Sequence, residues 1–133
     1  MAETGFEKLS EEGERIATGI VNGAYRVHQA LGPELLESVY KRCVRHELEK
    51  AGFEVLWEQP IPIRYDGIEF DEGFKLDLWV NRLVVVEAKS VVEMNPVFRA
   101  RIMSHRRLMN LRLGFLINFN VPLIKDGIKR MIL

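Results

Sequence analysis

The sequence predicts an α/β sandwich built around a mixed β-sheet. Apolar residues recur at helical spacing up to about residue 50 and at alternating, strand-like spacing from about residue 53. A further helical segment separates the apolar run Leu83 to Val86 from a later strand. The order helix, helix, strands, helix, strands predicts helices packed on a central sheet.

Two helices open the predicted domain. Ser10 suits an N-cap, and the apolar stripe after it predicts a helix to about Ala30. Gly32-Pro33 ends this helix and begins a second one, which Gly52 ends. We expect a helical hairpin, preceded by a flexible N-terminal arm over residues 1–9. The buried stripes consist of Ile16, Ile20, Ala24, Val27 and Leu31 in the first helix and Leu36, Val39, Cys43, Val44 and Leu48 in the second.

Short strands follow the hairpin. Alternating residues predict strands over 53–57, 61–65 and 68–70, with Asp66-Gly67 as a tight turn between the last two. Phe74 to Val80 and Leu83 to Lys89 predict two more strands. The second of these is apolar enough to lie inside the sheet, covered on both faces.

One helix and two strands complete the prediction. Pro96 begins a helix that runs to about Met109. Leu111 to Phe119 reads as a strand, which Val121-Pro122 ends, and Ile128 to Ile132 reads as a final short strand.

The composition fits one folded domain over residues 10–133. The chain has 133 residues, 47% of them apolar, and its 19 basic and 19 acidic residues balance to zero net charge. No apolar run approaches the roughly 18 residues of a membrane span, and the polar start does not resemble a signal peptide. We therefore expect a cytoplasmic protein that does not enter a membrane. Cys43 is the only cysteine, which excludes an internal disulfide and a cysteine zinc cluster.

Positive charge concentrates in the C-terminal half. There is no acid between Glu93 and Asp126, so this segment can form a basic face that attracts a phosphate backbone. A solvated helix face is the alternative. The predicted nucleic-acid-binding residues are Arg99, Arg101, Arg106 and Arg107.

Two carboxylates and an amine, Asp77, Glu87 and Lys89, lie near the end of the apolar strand. A two-residue loop between the strands would place the two acids on opposite faces of the sheet. A three-residue loop would place Asp77 directly across from Glu87, with Cβ atoms about 5 Å apart. Like charges so placed need a counterion, and Mg²⁺ or Mn²⁺ suits carboxylate oxygens.

The same register allows a purely structural interpretation. Asp77, Glu87, Lys75 and Lys89 would then share one face and could form a cross-strand lattice of salt bridges. A strand Asp followed by Glu-x-Lys does not by itself separate a lattice from a metal site.

Further segments carry a resemblance to a known family. They are Val27-His28, Leu31 to Tyr40, Leu76 to Leu78, Val86 to Lys89, Leu116 to Pro122 and Lys125 to Arg130. Together they closely resemble the GxxExxY protein family, which belongs to the PD-(D/E)XK nuclease-like superfamily. The resemblance extends from about Ile16 to Leu133 and implies a restriction-endonuclease-like sandwich with nuclease chemistry.

The resemblance implies a role for each matching residue. Asp77 and Glu87 would be metal ligands, Glu37 would add a third acid, and Lys89 would orient water or stabilise transition-state charge. His28, Tyr40 and His105 would lie around this site. The alternatives are an exposed helical pair of Glu37 with Lys41 and a structural, hydrogen-bonded role for His28.

Two positions depart from the family pattern. Glu34 stands where the name motif opens with glycine. Arg101 and His105 stand where relatives usually have glutamine and tyrosine. Arg101 would bring a fixed positive charge toward the cation. It could clamp a phosphate, or it could replace the metal in a catalytically silent descendant.

The sequence therefore predicts a small Mg²⁺- or Mn²⁺-dependent nuclease that hydrolyses phosphodiester bonds in DNA or RNA. The alternative is a catalytically silent nuclease-fold protein that binds nucleic acid or a protein partner. Outward apolar residues on a small sheet are also compatible with a homodimer.

Overall fold

The computed structural model of the protein describes residues 10–133, so the arm predicted over residues 1–9 lies outside the described residues. Three α-helices and a five-stranded mixed sheet form the fold, in the predicted order helix, helix, strands, helix, strands. No helix in the described part of the chain is long and apolar enough to cross a membrane. The elements are α1 (Glu11–Leu31), α2 (Glu37–Lys50), β1 (Val55–Tyr65), β2 (Ile68–Val80), β3 (Val84–Lys89), α3 (Pro96–Met109), β4 (Leu113–Asn118) and β5 (Ile128–Ile132).

The N-terminal hairpin forms with one correction, because α2 begins at Glu37 rather than at Gly32-Pro33. Residues 32–36 instead form an irregular turn in which Gly32 and Glu34 have φ values of 71° and 77°. The Tyr40 hydroxyl accepts a hydrogen bond from the Leu35 amide at 3.1 Å and donates one to the Gly32 carbonyl. These hydrogen bonds stabilise the turn, and α2 begins after it. Glu34 thus occupies a left-handed conformation that glycine adopts more easily.

The strands after the hairpin are longer than predicted. Residues predicted as separate short strands merge into β1 and β2, which pair antiparallel around the predicted Asp66-Gly67 turn. β1 and β2 also pair through the polar residues between the predicted short strands, and their register shifts between Ile61 and Ile63. β1 lies at the edge of the sheet, where Pro60 and Pro62 are tolerated because they lack a backbone N–H and no further strand pairs with the outer side of β1.

The sheet order β1-β2-β3-β4-β5 places β3 at the centre. β3 and β4 are parallel, and α3 forms the connection between them, while the other neighbours pair antiparallel. The helices α1 and α2 cover one face and α3 covers the other, so the first five residues of β3 are buried as predicted. The core on the α3 face consists of Ile61, Leu76, Val85, Ile102, Leu111, Leu116, Met131 and Leu133.

Candidate active site

The loop between β2 and β3 has the three-residue form that brings the two acids together. Val80 pairs with Val84 and Leu78 pairs with Val86, which is the last pair between these strands. One position further, the carboxyls of Asp77 and Glu87 lie close enough for the charge of Asp77 to raise the pKa of Glu87. Beyond Leu78, β2 leaves β3 and continues only with β1. Leu78 packs toward α1 and α2 whereas Leu76 packs toward α3, so the alternation of β2 is interrupted at Asp77.

Asp77 is held from two sides at this break in the strand. Its Oδ2 accepts a hydrogen bond from the Ala88 amide at 3.2 Å, which ties it to β3. Its Oδ1 lies 3.4 Å from the Lys41 ammonium on α2. Lys41 also reaches Glu58 at 3.3 Å. Burial lowers the pKa of Lys41, but Asp77 and Glu58 outweigh burial and raise the pKa overall.

Glu87 is a buried carboxyl beside a second carboxyl. Its side chain is 8% exposed, and Oε2 accepts a hydrogen bond from Arg101 Nη2 at 3.1 Å. Burial first, and then the charge of Asp77, raises the pKa of Glu87 to about 7. Arg101 and Lys89 act in the opposite direction without reversing the shift. Glu87 is therefore a carboxyl whose charge is costly unless a cation lies close to it.

Lys89 ends β3 beside this pair. Its ammonium lies 3.9 Å from Glu37 Oε1 and 4.3 Å from the centre of the Phe98 ring, and its side chain is 11% exposed. The carboxylate and the aromatic face keep the ammonium in place. An ordered ammonium next to two carboxyls can stabilise negative charge that develops on a reacting phosphate.

Glu37 does not join the acid pair as expected. Its carboxylate contacts Lys89 instead, and among residues 10–133 no group of three or more His, Cys, Asp or Glu side chains could hold a metal ion. The expected convergence of three acids is therefore corrected to two acids with an ammonium. Glu37 lies in the first turn of α2 and reaches Lys89 at the end of β3.

The three residues expected around the site, His28, Tyr40 and His105, lie in different parts of the fold. His28 donates from Nε2 to the Val121 carbonyl at 2.9 Å and so ties α1 to the segment after β4. Tyr40 stacks on Phe119 with ring centres 4.5 Å apart and holds the turn before α2. Both residues are structural in this arrangement, as the alternative for His28 anticipated.

His105 lies on the buried face of α3, where the charges of Arg101 and Asp77 act on its ring. Its ring stacks on Phe74 at 5.0 Å, and neither ring nitrogen has a hydrogen-bond partner within residues 10–133. Burial first, and then Arg101, lowers the pKa of His105 to about 4, against an opposite effect of Asp77. His105 is thus a neutral ring that packs behind the acid pair at neutral pH.

The four arginines predicted to bind nucleic acid all lie on α3 but not on one face. Arg101 and Arg106 are five residues apart and so about 140° apart around the helix. All four side chains are exposed, and Arg101 also reaches Glu87. Arg107 also borders a groove of about 450 Å³ between α3 and the β1–β2 hairpin, together with Arg64.

Sequence reasoning did not assign Lys41 to the site. The helical pair considered for Glu37 and Lys41 is replaced by longer-range contacts, because Lys41 reaches Asp77 and Glu37 reaches Lys89. The spacing of four residues does place both side chains on the same face of α2, and this was the available signal. The cross-strand lattice is replaced in the same way. Lys75 is exposed, and the ion pairs of the two acids come from α2 and α3.

The donor set of this site fits a hard divalent cation. Mg²⁺ commonly takes one or two protein carboxylates and completes its coordination with water and substrate phosphates. Asp77 and Glu87 supply two such carboxylates, and their mutual repulsion favours an incoming cation. Arg101 already contacts one oxygen of Glu87, so its guanidinium has to yield that oxygen to a bound metal.

The raised pKa of Glu87 predicts a pH-dependent stability that Glu87→Gln removes. The folded protein binds this proton up to about pH 7, whereas the ordinary pKa of a glutamate in an unfolded chain is 4.5. The stabilisation is complete below about pH 4.5 and is lost as the pH rises through about 7, on the order of 3 kcal/mol at most. Urea unfolding at about pH 5 and about pH 8 should give a larger fall in unfolding free energy for wild type than for Glu87→Gln.

His105 acts in the opposite direction and is present in both proteins. The pKa of His105 is about 4 in the folded protein, against an ordinary histidine pKa of 6.5, so it contributes stability at high pH that is lost as the pH falls through this window. The difference between wild type and Glu87→Gln cancels this contribution. Identical pH dependence of the two proteins would show that Glu87 titrates normally.

Comparison with known families matches nearly the whole described chain. A sequence model of the PD-(D/E)XK nuclease superfamily matches residues 14–131. No curated protein and no solved structure matches the chain. The matched region contains the strands and helices that position Asp77, Glu87 and Lys89.

Proposed function

Because the chain belongs to the PD-(D/E)XK nuclease superfamily, as the resemblance predicted, we propose that it is a metal-dependent nuclease that hydrolyses phosphodiester bonds in DNA or RNA. Its fold is the restriction-endonuclease-like α/β sandwich. The observation that carries the proposal is the electrostatic contact between Asp77 and the buried Glu87, with Lys89 two residues further along β3.

Each residue of this set has a chemical task in the proposal. Asp77 and Glu87 hold a divalent cation, for which we propose Mg²⁺ or Mn²⁺. When bound, this cation supplies a water of lowered pKa and shields the charge of the attacked phosphate. Lys89 donates to the phosphate oxygens or to the attacking water as negative charge develops.

The remaining neighbours position these groups. Glu37 and Phe98 keep the Lys89 ammonium at the end of β3. Lys41 holds one oxygen of Asp77, and the Ala88 amide holds the other, so this carboxylate is oriented before any ligand arrives. An oriented carboxylate loses less conformational freedom when it binds a cation.

A binding titration with Mn²⁺ tests the metal site independently of catalysis. We expect Asp77→Asn to bind Mn²⁺ at least about tenfold more weakly than wild type, because it removes one of two carboxylate ligands. Asp71→Asn is the matched control, since Asp71 is exposed on β2 away from β3. Equal affinities for all three proteins would contradict a metal site at Asp77.

A cleavage screen then tests the activity. Wild-type protein should cut at least one of single-stranded DNA, double-stranded DNA and RNA when Mg²⁺ or Mn²⁺ is present, and chelation should stop the reaction. Metal binding at Asp77 without cleavage of any of these would contradict the nuclease proposal.

One contact favours a second candidate function. The guanidinium of Arg101 lies 3.1 Å from Glu87 Oε2, an oxygen that a bound metal ion would use. If this contact is permanent, the protein is a catalytically silent member of the superfamily that binds nucleic acid through α3. Such a protein would bind DNA or RNA in a salt-dependent way without requiring Mn²⁺.

The cytoplasmic location and the homodimer expected from the sequence stay predictions.

A further inference from the structure

We propose that Arg101 is an exchangeable counterion, which holds Glu87 in the absence of nucleic acid and moves to a substrate phosphate when nucleic acid binds. The exchange frees Glu87 for the divalent cation, so that substrate and metal bind cooperatively. This inference rests on the proposed nuclease site and describes how that site is assembled.

Arg101 differs from the other two cations around the acid pair in its exposure. Its side chain is 48% exposed, against 15% for Lys41 and 11% for Lys89. Lys41 is held by two carboxylates, and Lys89 is held by Glu37 and Phe98. The long side chain of Arg101 already reaches solvent, so it can leave Glu87 without opening the core.

The exchange keeps Glu87 compensated throughout. Removing a partner from a buried charge is strongly unfavourable when nothing replaces it. A divalent cation at Asp77 and Glu87 replaces the positive charge that Arg101 takes away. The guanidinium and the metal would repel each other at the same carboxylate oxygen, so occupation by one disfavours the other.

A phosphate is the partner that the surroundings of Arg101 offer. Residues 96–109, which form α3, contain no acid, so the helix provides no competing carboxylate for the released guanidinium. Arg99 and Arg107 on the exposed side of α3 add positive charge that attracts a polyanion. A guanidinium can bind two phosphate oxygens through two parallel hydrogen bonds, so a phosphate is a well-matched partner for Arg101.

The exchange has a thermodynamic signature. Mn²⁺ alone has to displace Arg101, whereas Mn²⁺ in the presence of nucleic acid does not. Nucleic acid should therefore strengthen Mn²⁺ binding, and Mn²⁺ should strengthen nucleic-acid binding by the same factor. Direct attraction between cation and phosphate contributes in every variant, so the part due to Arg101 is the difference between wild type and Arg101→Gln.

The test measures Mn²⁺ affinity by calorimetry, with and without a phosphorothioate DNA oligonucleotide whose linkages resist hydrolysis. We expect Arg101→Gln to bind Mn²⁺ alone on the order of tenfold more tightly than wild type. We also expect the oligonucleotide to strengthen Mn²⁺ binding much more in wild type than in Arg101→Gln. Both proteins are titrated at a pH high enough that their Mn²⁺ affinity no longer increases with pH. This condition is needed because losing the Arg101 guanidinium also raises the pKa of Glu87.

Arg99→Gln is the matched control, because it removes the same charge from the exposed part of α3. Because Arg99 itself attracts the polyanion, this variant should bind the oligonucleotide more weakly. With saturating oligonucleotide, it should still keep the wild-type Mn²⁺ affinity and the wild-type gain in that affinity. If Arg101→Gln also matches wild type while Mn²⁺ binds, the exchange is refuted and the metal site stands. If no protein binds Mn²⁺ under either condition, the exchange and the proposed function are both refuted.

Discussion

Asp77→Asn is expected to slow metal-dependent phosphodiester cleavage by at least about 10³-fold, because a cation held by one carboxylate supplies several kcal/mol less stabilisation to the transition state. The substitution keeps the size of the side chain and leaves Glu58 as a partner for Lys41. The fold should therefore survive, which circular dichroism can check. Single-turnover rates on the substrate that wild type cleaves best would measure the loss.

Lys89→Met separates chemistry from metal binding at the same site. It removes a charge that would stabilise the reacting phosphate and keeps an apolar stem beside Phe98. We expect a rate about 10²–10³-fold lower, with Mn²⁺ affinity equal to or greater than that of wild type.

For the first variant, cleavage by Asp77→Asn at the wild-type rate would identify a contaminating nuclease.

Gly127→Ala is expected to destabilise the protein by about 3 kcal/mol or more, which corresponds to a melting temperature roughly 10 °C lower. A Cβ atom at Gly127 would lie 2.0 Å from the Asn118 carbonyl oxygen, and backbone atoms cannot move aside without breaking the pairing of β4 with β5. The φ of this glycine is −98°, so the cost comes from the close approach and not from backbone strain.

The effect should extend to the site, because Asn118 pairs with Lys89 in the sheet and its amide hydrogen bonds to the Gly127 carbonyl at 2.9 Å. Gly52→Ala is the control. Gly52 has a φ of 96° and open space around the missing Cβ, so alanine there should cost only about 1 kcal/mol of backbone strain. Thermal unfolding of both variants decides the matter, and equal melting temperatures would contradict the close-approach explanation.

The proximity of Asp77 to Glu87 depended on a loop length that local pattern left open. Both the two-residue and the three-residue loop agree with the composition of Asn81 to Leu83. The three-residue form occurs with left-handed φ values of 49° and 55° at Asn81 and Arg82. The Asn81 side chain also accepts a hydrogen bond from the Glu54 amide and donates one to Glu12. These partners lie far away in the chain, so tertiary contacts support this register.

By itself, the sequence determined the order of helices and strands, the buried position of β3 and the identity of the two candidate acids, Asp77 and Glu87. Apolar periodicity and turn residues act over a few neighbouring residues, so such features can be read locally. Only the tertiary structure decided that Glu37 pairs with Lys89, that Lys41 reaches Asp77 and that Arg101 lies on Glu87. Each of these contacts joins different elements, and its partner is chosen by how α2 and α3 pack on the sheet rather than by spacing along the chain.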